Sequence, residues 1–437
     1  MINNVISVHY KILISICSFP HIDYLKSMRY ILIMRMVSQY RGLPKQIYFL
    51  CVVRLIEEMG LMFVFPFLSL LMTQRLGFST IQAGFLMLIT SACSTAGTLT
   101  GGKLADEFGR RRICIMLTII VIMATFAAGS TCSRPIVLLF VIIAYTANSA
   151  IVPAASAFVI DLSTPETRND CFSLLYIFVN VGCSFGPVVA GLLFYNHMKW
   201  IFYSMAGLYL IALYILCTRI EDHYIPHCRH NTKKEESLVS ITFHRSVLCI
   251  FIVCLIVITM CYMQLSYILP IQLSDTFGLN TGSKFSSLLW TINGILCVIL
   301  TPSLMLIIKR LDPLPNVVIG VLIYIIGFGI YAFPITVPLF TVSTIIWTIG
   351  EIFINTEATV FIAEMAPHTH NGRVISLYEF SRGLGKCIGP LIFSYALVYT
   401  NYSGIWISIS MIFGVIAGIL ALLHRKSLHS NHNSVNS

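Results

Sequence analysis

Charge is scarce in this sequence. Asp, Glu, Lys and Arg make up 11% of its 437 residues, whereas soluble domains carry roughly a quarter. So little charge cannot clothe a water-facing surface. Other absences narrow the field further. None of the 14 cysteines stands in a Cys-x-x-Cys pair, which removes the usual thiolate zinc and dithiol redox patterns. No phosphate-cradling loop and no Ser-His-Asp arrangement can be assembled, so an enzyme is not expected. The longest polar interval, residues 221–245, and the tail after Leu423 are both too short to hold a soluble sensor domain.

What is abundant is apolar surface: 57% of the chain, with a mean hydropathy of +0.85. Stretches long enough to cross about 30 Å of hydrocarbon recur throughout. They are placed near 46–72, 80–101, 113–129, 136–160, 172–195 and 200–217, then near 246–271, 285–308, 316–333, 339–363, 375–399 and 404–423. The expected fold class is an all-α integral membrane protein of about twelve transmembrane helices. The expected organisation is a basic extension (1–45, with Met28, Met34 and Met36 as later starts), a first six-helix half (46–220), a linker (221–245), a second half (246–424) and a tail (425–437).

Basic residues orient such a chain, because they concentrate in cytoplasmic segments. With the N-terminus inside, 21 of the 28 Lys and Arg are cytoplasmic. Only Arg75, Arg134, Lys199 and Lys284 lie outside, and Arg54, Arg382 and Lys386 fall in or beside helices. Both termini are thus expected in the cytoplasm, and the net charge of +10 needs no nucleic-acid partner. The cysteines read as small apolar packing residues. The most metal-like group, His223, His227, Cys228 and His230, reads as a polar linker, so no metal site is expected.

The polar interval divides the spans six and six, and a fixed offset of 203 relates the halves. It aligns Phe158 with Phe361, Asp161 with Glu364, Ser173 with Ser376 and Leu174 with Leu377. It also aligns Gly182, Gly186 and Pro187 with Gly385, Gly389 and Pro390. Two close-approach glycines and a helix break at set spacing are more than generic hydrophobicity.

The segment Gly102-Lys-Leu-Ala-Asp-Glu-Phe-Gly-Arg-Arg-Arg112, read as a short loop between helices two and three, has physical sense. Gly102 and Gly109 permit a tight turn, and Asp106 can pair with Arg110 or face a helix N-terminus. It closely resembles the signature G-x-L-a-D-r-x-G-r-[kr]-x of major facilitator transporters, matching at Gly102, Leu104, Asp106, Gly109, Arg110 and Arg111. The resemblance covers residues 46–425 and implies two parallel six-helix repeats, with a substrate site between them at the bilayer midplane. In that family the loop latches the cytoplasmic side shut. The stretch Gly182-Cys-Ser-Phe-Gly-Pro-Val-Val-Ala-Gly191 is similar to the helix-five motif of exporters in the drug-proton antiporter branch, with Ala190 replacing a glycine. Asp161–Arg168 and Glu364–Arg373 look like the family's loops after helices four and ten. The arginine those antiporters carry within helix four is absent here, which weakens proton coupling by that route.

Charges inside the bilayer are costly and are functional candidates. Helix one holds Arg54, Glu57 and Glu58, and helix ten holds Glu351 and Glu357. Glu58 is expected to pair with Arg54, one turn away, leaving Glu57 or Glu351 to bind a proton or a cationic substrate. Desolvation disfavours an ionised carboxyl, so such a group could gain its proton when dry and lose it when wet. Glu379, Arg382 and Lys386 are placed close to the cytoplasmic mouth. Cavity candidates are Phe63, Phe67, Asn148, Tyr176, Asn180, Gln264, Tyr267, Trp290, Asn293, Trp347 and Asn355, which with the glutamates make a mixed aromatic and carboxylate cavity suited to amphipathic cations.

The expected function is secondary transport by alternating access: proton-coupled export of small amphipathic or drug-like molecules, with uptake symport of a sugar, peptide or other metabolite as the alternative. The expected partners are a small molecule, the proton and the lipid bilayer. The expected state is a monomer in the plasma membrane, driven by a proton gradient without a cofactor.

Overall fold

The computed structural model describes residues 40–131, 133–164, 167–221, 246–308, 311–333, 336–365 and 371–435. The extension before Tyr40, the His223, His227, Cys228 and His230 group, and residues 165–166 and 366–370 of the two loops lie outside them.

Twelve rods form among the described residues, with no strand. They are α1 (Lys45–Arg75, interrupted), α2 (Thr80–Phe108), α3 (Arg110–Ser130), α4 (Arg134–Leu162), α5 (Arg168–Leu193) and α6 (Met198–Arg219). The second set is α7 (Ser246–Phe277, interrupted), α8 (Leu279–Ile308), α9 (Pro313–Ile330), α10 (Val337–Met365), α11 (Asn371–Tyr399) and α12 (Tyr402–Val435). Eleven are long and apolar enough to cross a membrane. The exception is α11, which carries Arg373, Glu379, Arg382 and Lys386. The first turn of α2 is fixed by a capping box, Ser79 and Gln82 each satisfying the other's backbone N–H, and such reciprocity stabilises a helix start.

Because successive rods alternate in direction, the start of α1 and the end of α6 and α12 share one face, called here the terminal face. The starts of α2, α4, α8 and α10 lie on the opposite, distal face. Within each half the packing repeats. The Gly182 and Gly186 face of α5 lies against Leu55, Met59 and Met62 of α1; the Gly385 and Gly389 face of α11 lies against Ile256, Thr259 and Met260 of α7. A Cβ on Gly182 or Gly385 would come within 2.4 or 2.5 Å of a backbone carbonyl oxygen, so these glycines allow the backbones to touch.

Both α1 and α7 break at matching depth. In α1 the helix stops at Leu61 and resumes as a 3-10 turn at Phe65–Phe67, a short helix at Leu68–Leu70 and a π turn at Leu71–Arg75. In α7 a 3-10 turn at Met263–Leu265 separates Ser246–Tyr262 from Ile268–Phe277. Gly77 (φ 70°) and Gly278 (φ 77°) end the two rods in the left-handed region. Ser69 Oγ of α1 donates to the Ser266 carbonyl of α7 at 3.2 Å, so the broken segments touch across the halves.

The halves meet along two seams, α2 with α11 and α5 with α8. On the first, a Cβ built on Gly84 would meet Ser394 Oγ at 2.5 Å; on the second, a Cβ on Gly191 would meet Ser287 Oγ at 1.9 Å. Offset by 203, Gly84 corresponds to Ser287 and Gly191 to Ser394. Each seam is therefore the same glycine-serine contact with the roles exchanged. Both lie near the distal ends, and Gly383 against Thr95 and Gly294 against Ser184 continue them to mid-depth.

Candidate functional site

The Gly102 to Arg112 segment is not the loop expected. Helix α2 runs unbroken through Gly102 and Asp106 to Phe108, and only Gly109 (φ 93°) turns the chain into α3. Nothing before Gly109 stops the helix, so its last turns continue beyond the apolar stretch. Gly102 makes no tight turn: a Cβ there would meet only Pro153 Cβ at 3.7 Å. Arg110 pairs with Asp106, as the spacing predicted, and its Nε also donates to Asp161 of α4 at 3.1 Å. Arg111 donates to the carbonyls of Leu216 (3.3 Å) and Cys217 (2.7 Å) at the end of α6. Cations on the last carbonyls of a helix are favourable. The segment thus ties α2, α3, α4 and α6 together on the terminal face.

Arg54 does not take Glu58 alone. Its Nη1 donates to Glu57 at 2.7 Å and its Nη2 to Glu58. Glu57 is fully buried, receives Thr118 Oγ1 of α3 at 3.4 Å, and is therefore held rather than free. Close by, Tyr209 of α6 donates to Asn148 Oδ1 at 2.7 Å, with the Glu57 carbonyl at 3.1 Å. Asn148 accordingly sits inside the first half, between helices of that half. The spacing of Arg54 allowed both i+3 and i+4 partners, and the buried cation uses both.

Glu351 is differently placed. It accepts from Tyr262 Oη of α7 (2.8 Å), Asn293 Nδ2 of α8 (2.7 Å) and Asn355 Nδ2 one turn along α10 (3.4 Å), and it makes no ion pair among the described residues. Asn293 also donates to Thr348 Oγ1 at 3.1 Å. Cys297 Sγ adds a weaker contact at 3.9 Å, and such neutral donors can hold a carboxylate charge as well as a carboxyl. Glu357 is elsewhere: Asn316 Nδ2 reaches it at 3.2 Å while also donating to the Ile308 carbonyl at the α8–α9 connection. Six residues separate it from Glu351, about 9 Å along the helix, so the two acids do not form one site.

The other candidates divide. Tyr176 of α5 is exposed and Asn180 half-buried on the inner side between the α1 and α8 faces, with Asn180 Nδ2 donating to the Tyr176 carbonyl at 2.9 Å. Tyr267 and Gln264 are buried in the α7 break: Tyr267 donates to the Thr80 carbonyl across the halves, and Gln264 Nε2 to the Met260 carbonyl at 2.9 Å. Phe63 is buried in the core, and Phe67 stacks on Phe194 at 4.9 Å. Trp290 and Trp347 belong to an aromatic row crossing the halves, Phe65–Trp290 (6.4 Å), Trp290–Trp347 (6.4 Å) and Trp347–Tyr262 (6.0 Å).

Phe65 and Tyr262 were missed in the sequence, although Pro66 and Pro270 beside the two breaks were a signal. Arg382 and Lys386 were misplaced. Helix α11 begins at Asn371, so Lys386 stands 15 residues in, about 22 Å from its start, at mid-depth rather than at a mouth. Arg382 donates to Tyr378 Oη at 3.3 Å and lies over that ring at 5.4 Å.

With this geometry in place, the chain compares with known proteins as follows. The profile described as Major Facilitator Superfamily matches residues 50–390. An uncharacterized MFS-type transporter of Bacillus subtilis, YqjV, is 26% identical over 338 residues, covering 75% of this chain and 80% of its own. A Na(+), Li(+), K(+)/H(+) antiporter of Planococcus maritimus is 22% identical, covering 75% and 84%. Multidrug resistance protein MdtH of Klebsiella pneumoniae is 26% identical, covering 58% and 61%. Among solved structures, a peptide transporter POT shares the fold with a TM-score of 0.76 at 16% identity, over 89% of this chain and 96% of that one.

Proposed function

The chain belongs to the major facilitator superfamily of multi-pass membrane transporters, and we propose that it is a proton-coupled exporter of small amphipathic, drug-like molecules. The observation that carries this reading is Glu351, a carboxyl set between the broken α7 and the α8 seam helix with neutral hydrogen-bond donors and no ion pair among the described residues. A carboxyl without a resident cation can exchange a proton with an incoming one. The Arg54 cluster, whose acids are both taken, is the structural counterpart.

The breaks in α1 and α7 meet at the seam between the halves, where substrate sites of such folds form. Glycine-serine seams that close the distal face and leave each half internally rigid suit rocking of one half on the other. The similarity to a multidrug resistance protein and to a cation/proton antiporter supports export and proton coupling. The basic-residue distribution supports cytoplasmic termini, the plasma membrane is the compartment proposed, and a monomer is sufficient for the mechanism.

The test is transport in inverted vesicles with an imposed proton gradient and a panel of amphipathic dyes and drugs of either charge. Substrate addition should collapse the gradient in the wild type, and Glu351→Gln should lower the coupled rate at least tenfold while leaving binding in place. Gradient-driven transport that persists undiminished in Glu351→Gln would remove Glu351 from coupling. Accumulation opposite in direction to export would favour the symport reading.

A further inference from the structure

Helix α11 turns a cationic row toward the space between the halves. At 3.6 residues per turn, its surface divides into sectors. Gly385 and Gly389 lie on α7, and Gly383 and Ser394 lie on Thr95 and Gly84 of α2. Phe380, Ile388, Ile392 and Tyr395 are exposed on the opposite, outer side. The remaining sector, between the α7 and α2 faces, holds Glu379, Arg382 and Lys386. It faces the interior. Arg382 lies within electrostatic reach of Glu379, Tyr262 and Glu351, and Lys386 within reach of Arg382, Glu379 and, in the other half, Glu58.

No acid neutralises these cations directly. Among the described residues Arg382 makes its hydrogen bond and its ring contact to Tyr378, and Lys386 has neither an ion pair nor a hydrogen bond. Of the acids nearby, Glu379 on the same row acts on both cations without an ion pair to either and offsets one of the two charges, while Glu58 is engaged on Arg54 and Glu351 on neutral donors. Two cations one helical turn apart present side chains about 5–6 Å apart at Cβ, a span that one carboxylate or phosphate can bridge. Such a pair at mid-depth is expensive unless a ligand completes it. Resting on the transport reading above, we propose that Arg382 and Lys386 form a subsite for a compact anionic group, so that the cargo is an amphipathic acid or zwitterion rather than a simple lipophilic cation. Its apolar body then lies along the row of Phe65, Trp290, Trp347 and Tyr262.

The test is binding to the full chain in lipid nanodiscs, read by fluorescence titration, with dansylglycine and dansyl-phenylalanine against their methyl esters and against tetraphenylphosphonium. The acids should bind at least tenfold more tightly than the esters. Lys386→Gln and Arg382→Gln should each erase that preference, while Lys386→Arg keeps it. The proposal is overturned if acid and ester bind alike to the wild type, if neither acid saturates, or if the preference survives both Gln substitutions. The wild-type comparison stands even where a variant fails to fold. Acid-selective binding without proton-linked export would sink the coupling reading alone; proton-linked export of tetraphenylphosphonium without acid preference would sink this one alone.

Discussion

Helices α5 and α11 share a packing skeleton and differ in the row they turn inward. Each sets two glycines on an interrupted partner helix and a distal small residue, Gly191 or Ser394, on the other half. At equivalent positions, however, α5 presents Tyr176, Val179 and Cys183 where α11 presents Glu379, Arg382 and Lys386. The same exchange runs through the other inner helices. Asn148 on α4 stands where α10 has Glu351, while α1 has Arg54, Glu57 and Glu58 and α7 has no charge at that depth. A duplicated skeleton is thus kept by backbone contact, which tolerates no side chain, whereas the inner row has been free to diverge into a self-paired cluster on one side and an open one on the other.

Stability should distinguish the two cations most strongly. Arg54→Ala leaves Glu57 and Glu58 buried without their donor, and an uncompensated buried charge costs about 3–5 kcal/mol. Arg382→Ala removes a cation that no carboxylate contacts and should cost well under half as much. Thermal unfolding of the purified variants reads the difference, and equal losses would show that Arg382 is as structural as Arg54.

The seams come next. In Gly191→Val a Cβ would fall 1.9 Å from Ser287 Oγ, and overpacking of this kind costs about 1–3 kcal/mol. Because the clash exists only where the distal face is closed, it should shift the population toward distal-open by roughly tenfold. Hydrogen exchange should then accelerate at the start of α8 and the end of α5. Gly84→Val should do the same at the α2–α11 seam; unchanged protection in both would mean that these contacts do not hold the face shut.

Much of this was legible in the residues, and the gaps have physical causes. Twelve apolar stretches and the offset of 203 foretold the count and the pairing of Gly182 with Gly385, because membrane crossing imposes length and close backbone approach imposes glycine. The partners of those glycines on α1 and α7 follow a second offset, 201, which weakly similar apolar helices conceal. The breaks at Phe65 and Met263 could not be read from hydropathy, which is the same for an interrupted and a continuous helix; only Pro66 and Pro270 beside them pointed there. Charge placement failed most: whether Arg54 held one acid or two, and whether Lys386 stood at a mouth or at mid-depth, depends on a helix start and on side chains from other helices.

The smallest effect separates adjacent glycines in the α2 end. The signature draws attention to Gly102, yet its Cβ position is open except for Pro153 at 3.7 Å, and the residue is helical. Gly101, which the signature does not include, would put a Cβ 2.2 Å from the Ala150 carbonyl oxygen of α4. Alanine is favoured over glycine within a helix by up to about 1 kcal/mol. Gly102→Ala should therefore leave the melting temperature unchanged or slightly raised, with transport within twofold of wild type, while Gly101→Ala loses the α2–α4 contact and melts lower. If instead Gly102→Ala abolishes transport at an unaltered melting temperature, that position must meet another helix when the terminal face closes, and its need for a small residue would belong to a second conformation in which α2 is packed differently.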